Sequence, residues 1–128
     1  MCVMKKKPFC PEDHVSYRLH IRVHRQAQIV AGALGSCNFS PGDYAYTGSA
    51  RRNLEARVAR HLSPNKKLRW HIDYLLVHPD VEVISVETSS LPECRWNQQL
   101  KGSIPVPGFG ASDCRNHCGS HLKRIGRA

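Results

Sequence analysis

The sequence predicts an α+β fold, a small antiparallel sheet flanked by about three helices, and three observations carry that expectation. VSYRLHIRV at 15–23 alternates apolar and polar side chains strictly, the two-residue period of a half-buried strand, and VEVISVE at 81–87 alternates again. Residues 51–62 and 68–78 instead place their apolar side chains at helical spacing. Along the chain the order is strand, strand, strand, helix, helix, strand, helix. That order lacks the strand–helix alternation of a parallel sheet and fits antiparallel strands with helices packed over them.

Residues 1–13, MCVMKKKPFCPED, carry a basic patch with no apolar stretch behind it. They read as a loose N-terminal arm and not as a secretory signal, and 14–128 reads as one domain. In the first strand Val15, Tyr17, Leu19, Ile21 and Val23 share one face, with Ser16, Arg18, His20 and Arg22 on the other. QIVAG at 28–32 is expected as its hairpin partner, Gly32 and Gly35 as a turn, and NFSPGD at 38–43 as a turn built on Pro41-Gly42. DYAYT at 43–47 is the third strand. In the first helix, 51–62, Leu54, Val58 and Leu62 make the apolar stripe, and His61 and Arg57 fall at the edge of burial. Ser63-Pro64-Asn65 ends it. LRWHIDYLLVH at 68–78 is the second helix, with Trp70, Tyr74 and Val77 at helical spacing. SSLPECRWNQQL at 89–100 fits the third, with Ser89 or Ser90 as N-cap and Pro92 in the first turn. Pro105, Pro107, Gly108 and Gly110 form a stiff, irregular loop, and HLKRI at 121–125 a short last strand.

A chain of 128 residues is sized for one domain with one core. It has no run of about 18 apolar residues, so no membrane-spanning helix is expected, and the expected compartment is the cytoplasm. Lys and Arg outnumber Asp and Glu by 19 to 10, a net charge of +9. Seven of those bases (Arg51, Arg52, Arg57, Arg60, Lys66, Lys67 and Arg69) fall within 51–71, against one acid, Glu55. Such clustering points to a polyanion, above all nucleic acid; a solvated basic face that aids solubility is the alternative. The six cysteines are an even number, which fits disulfides, but cytosolic thiols stay reduced, and metal binding or buried thiols then fit better.

The residues that carry chemistry begin at Tyr46-Thr47-Gly48-Ser49, followed by Leu54, Arg57 and His61. This set resembles the second half of the GIY-YIG nuclease signature, in which the YIG tripeptide ends a strand and a helix follows. Ser16-Tyr17 would stand for the GIY half. The longer pattern is similar to one small branch of that superfamily, of unsettled function and sometimes fused to a base-excision endonuclease. The shared residues are Leu34-Gly35, Phe39, Gly42, Tyr44, Tyr46, Gly48-Ser49-Ala50, Leu54, Arg57, Arg60-His61-Leu62, 70–76, Glu93-Cys94, 105–110, 112–114 and His121-Leu122.

The resemblance implies metal-dependent endonuclease activity on DNA; with no recognition helix or aromatic stacking platform evident in so compact a chain, selectivity for structure such as a flap, lesion or branch is expected over selectivity for sequence. A single divalent cation, Mg²⁺ or Mn²⁺, would be held by Glu93. Tyr17 matches the GIY tyrosine and Tyr46 the YIG tyrosine, and one of them would serve or assist as base toward the attacking water. Arg57 would steady the phosphate, His61 would bond the phosphate or a tyrosine, and His71 falls near a second family histidine. Gly48 and Ser49, with Arg51, Arg52, Arg60, Lys66 and Lys67, would grip the nucleic-acid backbone. The chemistry needs these types: charge developing on the phosphoryl oxygens must be offset by cations, and a phenol accepts a proton at neutral pH only where cations lower its pKa.

Each of these residues also has a plainer reading: core tyrosines, a helix-end histidine, and an acid that complements the dipole at the start of a helix. Three departures from the signature stand out. The first strand reads VSY, the two tyrosines lie farther apart, and the asparagine expected after the glutamate has no match beyond Ser112 or Asp113. A non-catalytic DNA- or RNA-binding module of the same fold, accessory to DNA repair, is therefore the rival function. The tail adds Cys114, Cys118 and His121, three soft ligands to which Cys94 would be a fourth. Structural Zn²⁺ tying the last loop to the third helix, buried thiols and a disulfide all fit that spacing. A zinc-stabilised protein-interaction domain is the third function class.

Overall fold

The computed structural model of the chain describes residues 2–3, 14–50, 53–63, 68, 70–109 and 118–126. Its strands are β1 (Cys2–Val3), β2 (Ser16–Val23), β3 (Ala27–Val30), β4 (Ser36–Phe39), β5 (Gly42–Ser49), β6 (Val81–Ser89) and β7 (Leu122–Gly126). Its helices are α1 (Leu54–Leu62), α2 (His71–Leu76) and α3 (Glu93–Gln99). One antiparallel sheet runs in the order β1-β6-β2-β5-β7, and β3 and β4 form a separate ribbon. The expected α+β class holds. Arg51, Arg52, Lys66, Lys67, Ser112, Asp113 and Cys114, and most of the expected arm, lie outside the described residues.

Strand β2 is central. It pairs with β5 along its whole length and with β6 from Ser16 to Val23, with a bulge between His20 and Ile21. Both of its edges are thereby taken, which is why β3 does not become its hairpin partner as the local pattern suggests. The chain instead passes through a 3-10 turn at Gly32–Leu34, with Gly35 in the left-handed region at φ 72°, and β3 folds back on β4. Residues 38 and 39, expected in a turn, belong to β4.

One face of the sheet presents Tyr17, Leu19 and Ile21 from β2, opposite Gly48, Tyr46 and Tyr44 of β5. These aromatic and aliphatic side chains join Val58 of α1 and Ile72 and Leu75 of α2 in one buried core. The two helical stripes differ from expectation. On α1, His61 is buried while Leu62 is 51% exposed, because the imidazole finds a hydrogen-bond partner in the core and no longer needs solvent. On α2, Ile72, Asp73 and Leu75 are buried, Val77 is exposed, and Trp70 precedes the helix in an extended conformation.

The opposite face is also covered at one end, so Ser16 and Arg18 are buried although the alternation assigned them to solvent. Helix α3 lies there. The Arg18 guanidinium stacks 4.1 Å from the Trp96 ring centroid and donates to the Trp96 carbonyl (2.9 Å). Lys123 Nζ donates to the carbonyls of Asn97 (2.6 Å) and Leu100 (2.9 Å). These two cations bond carbonyls at the C-terminus of α3, where few backbone donors remain and the helix dipole favours positive charge. The N-terminus of α3, with Glu93, is thereby fixed against the end of β5. Pro92 sits at the N-cap and Ser89 still belongs to β6, so α3 starts later than the Ser-Ser pair suggests. Among the described residues, no helix is long and apolar enough to cross a membrane.

Candidate functional site

Ser49, the last residue of β5, joins two side chains that are far apart in sequence. Its carbonyl accepts a hydrogen bond from Arg57 Nη1 (3.2 Å), one turn into α1, and its hydroxyl donates to Glu93 Oε1 (2.8 Å) at the start of α3. Local backbone builds this arrangement. Asn53 takes a left-handed conformation at φ 54°, which Asn tolerates better than most residues, and turns the chain from the strand end into α1. A guanidinium and a carboxylate thus flank one residue at the mouth of the sheet.

Behind them runs a chain of polar groups. The Tyr17 hydroxyl lies 2.7 Å from His61 Nε2, and His61 Nδ1 lies 3.9 Å from Asp73 Oδ1. The buried Asp73 carboxylate favours the imidazole proton on Nδ1; with that assignment the Tyr17 hydroxyl donates to Nε2. Tyr46 completes the cluster, its ring centroid 6.4 Å from that of Tyr17 and 6.2 Å from that of His61. Gly48 makes room for it. A Cβ there would meet the Tyr17 ring and hydroxyl at 2.5 Å, so the tyrosine lies across the glycine of the neighbouring strand. Its φ does not lie in the left-handed region, so this close approach is what requires glycine at 48.

Electrostatics follow from burial. It pushes the Tyr17 phenol well up; the Arg57 guanidinium pulls it back in part, and the Glu93 carboxylate adds to the rise. Tyr46 is also pushed well above its usual value, by burial first and then by Tyr17 and Glu93. Both phenols are therefore held protonated, against the expectation that cations lower them. Burial raises the Glu93 carboxyl, but hydrogen bonds from His121 and Ser49 and the charges of His121 and Arg57 outweigh it and leave the group below its ordinary value. Burial holds His71 below its ordinary value.

Five of the sequence candidates, Tyr17, Tyr46, Arg57, His61 and Glu93, come together with Gly48 and Ser49. Two others serve elsewhere. Arg60 forks onto Asp73, with both nitrogen–oxygen distances 2.9 Å, and stacks 4.3 Å from the Trp70 ring centroid; it holds α1 to α2. His71 packs its ring 5.6 Å from Phe109, the buried plug of the loop before β7. Asp73 and Trp70 are participants that sequence reasoning undervalued. Asp73 also accepts from the Trp70 backbone N–H (2.9 Å), and Trp70 stacks beneath Arg57 as well, 4.7 Å to the ring centroid. The available signal was the acid at the third position of α2, where a side chain reaches back to cap the helix start.

Two donor sets fit cations. Glu93 is partly exposed (27%), and each carboxylate oxygen bonded to Ser49 or His121 keeps a further lone pair, which suits a hard divalent ion that retains most of its water. Cys94, Cys118 and His121 place their ligand atoms within 4.8 Å of one another.

An antiparallel sheet with an arginine and a glutamate joined at a strand end, and a tyrosine pair behind them, defines an α+β protein with a polar cluster at one end of its sheet. The family model described as "Domain of unknown function DUF123" matches residues 16–128, and the chain belongs to that family. No curated protein and no solved structure matches it.

Proposed function

We propose that this protein is an endonuclease that hydrolyses phosphodiester bonds in nucleic acid, DNA foremost, with a GIY-YIG-like site. The observation that carries the reading is the Ser49 junction, which holds the Arg57 guanidinium and the Glu93 carboxylate at one strand end beside Tyr17 and Tyr46. A phosphodiester needs that pair: donors for its oxygens and a carboxylate to hold a cation. Arg57 has five N–H donors, and those not directed at Ser49 fork onto a phosphate. Mg²⁺ or Mn²⁺ held at Glu93 would supply Lewis-acid offset of charge on the phosphoryl oxygens.

The raised phenols determine how the proton moves. Tyr17 does not act as a free phenolate. It accepts a proton from the attacking water as its own proton passes to His61 Nε2, so the phenol stays neutral throughout and His61 ends as imidazolium, stabilised by Asp73. Tyr46 packs beside this pair and excludes water from its far side. Arg60 acts as a positioning residue through Asp73.

Purified protein incubated with branched and linear DNA in Mg²⁺ is expected to cut the branched substrate and to be silent in EDTA. Arg57→Ala and Glu93→Gln are each expected to lower the rate by about 10²–10³. If wild type and both variants cut alike, the activity is a contaminant and the reading fails.

One observation favours a second reading. Tyr17 is only 2% exposed and Tyr46 8%, which limits the approach of water to either hydroxyl. A nucleic-acid-binding module of the same fold would retain salt-dependent binding through Arg57 and its basic neighbours without cleavage. Filter binding that falls steeply with salt, with no product under any cation, would select it; binding with no salt slope would remove both readings.

A further inference from the structure

We propose that Cys94, Cys118 and His121 form a site for a thiophilic divalent cation of the zinc class, clamping α3 to the start of β7 and backed by Glu93 through the His121 ring. The site goes beyond the nuclease reading and stands without it. Its three donors come from two elements that are separate in sequence: Cys94 is the second residue of α3, and Cys118 and His121 lie just before β7. Their ligand atoms fall within 4.8 Å of one another, and Cys94 Sγ is 3.8 Å from His121 Nε2. A tetrahedral zinc with Zn–S of about 2.3 Å and Zn–N of about 2.0 Å sets such atoms roughly 3.5–3.8 Å apart, so small side-chain shifts complete the geometry. Two sulfurs and an imidazole are a soft set, unlike the hard carboxylate at Ser49.

A second observation points to a ligand at this spot. His121 Nδ1 lies 2.8 Å from Glu93 Oε2, and an ionised carboxylate can only accept, so Nδ1 carries a proton; in the neutral imidazole, the form that binds metal, the lone pair is then on Nε2, 3.8 Å from Cys94 Sγ. A carboxylate that orients a histidine so that its other nitrogen can bind metal is the arrangement that supports zinc ligands. Beside the site, Gln98 Nε2 donates to Cys118 Sγ (3.5 Å).

The test uses the full chain, purified under reducing conditions without chelator. Elemental analysis is expected to find one equivalent of Zn²⁺, and Co²⁺ titration to give thiolate-to-cobalt charge-transfer absorption that Zn²⁺ abolishes. Cys118→Ser is expected to lose at least about tenfold in Co²⁺ affinity. Glu93→Gln leaves every ligand in place and is expected to lose about 10–100-fold, the range for removing such a supporting group. The site is overturned if the wild-type chain binds no stoichiometric Zn²⁺ or Co²⁺, or if mass spectrometry finds Cys94 and Cys118 joined in a disulfide. It is also overturned if Cys118→Ser binds like wild type. Wild-type affinity in Glu93→Gln would overturn the link through the His121 ring. None of these readouts involves DNA, so failure here and failure of the nuclease reading are distinguishable.

Discussion

Gly48 and Asp73 show how single residues hold this site. A methyl group at 48 would lie 2.5 Å from the Tyr17 ring in a strand whose backbone is fixed by pairing. Gly48→Ala should therefore displace Tyr17 from His61 and cost about 1–3 kcal/mol, as overpacking does, measurable by urea denaturation. Asp73 is fully buried, with Arg60 forked onto it and His61 nearby. Asp73→Asn leaves Arg60 without its counter-charge and is expected to destabilise by about 3 kcal/mol in the same measurement. A loss below about 0.5 kcal/mol would mean that solvent screens the pair. The sequence singled out Tyr17, Tyr46, Arg57, His61 and Glu93 as candidates through a family resemblance, and the structure brings them together at one end of the sheet. The sequence did not indicate that Gly48 is kept for Tyr17, or that Arg60 turns inward. Both depend on which residue lies across a strand or helix gap, and no local pattern records that.

At the scale of elements, helices and strands were legible wherever periodicity was strong. Strand β2, α1 and β6 fall close to the expected spans. Partnership was not legible. β3 follows β2 directly yet pairs with β4, because β5 and β6 come from later in the chain to occupy both edges of β2. The burial of Arg18 was hidden for the same reason: α3 arrives from residue 93 onward to cover a face that strict alternation assigns to water. That docking yields a prediction. Lys123→Met removes the donor to the Asn97 and Leu100 carbonyls and should cost about 1–3 kcal/mol. Hydrogen exchange should show the loss concentrated in the amides of α3; a uniform loss over the sheet would contradict the clamp.

Across the whole molecule, the pH dependence of stability should be a plateau with two falling sides. His71 and Glu93 both have folded pKa values below their ordinary 6.5 and 4.5. The unfolded chain therefore binds their protons more readily, and their stabilisation, present above those values, is lost as pH falls, first below about 6.5 and then below about 4.5. Tyr17 and Tyr46 are raised above their ordinary 10.0, so their contribution is present below that value and is lost as pH rises past it. Thermal melts from pH 4 to 11 should show both limbs. Glu93→Gln should flatten the lower part of the acid limb, and Tyr46→Phe should reduce the alkaline one. An unchanged profile in both variants would assign the limbs to other groups.

The pairing of β2 with β6 has a consequence for biosynthesis. Tyr17 sits opposite Thr88, and Tyr46 opposite Leu122. Few of these contacts can form while the nascent polypeptide is short, and a topology so rich in distant pairings condenses slowly. The junction of Arg57 and Glu93 at Ser49 is therefore completed only after α3 has emerged, and its sheet only after β7 follows to cover the open margin of β5.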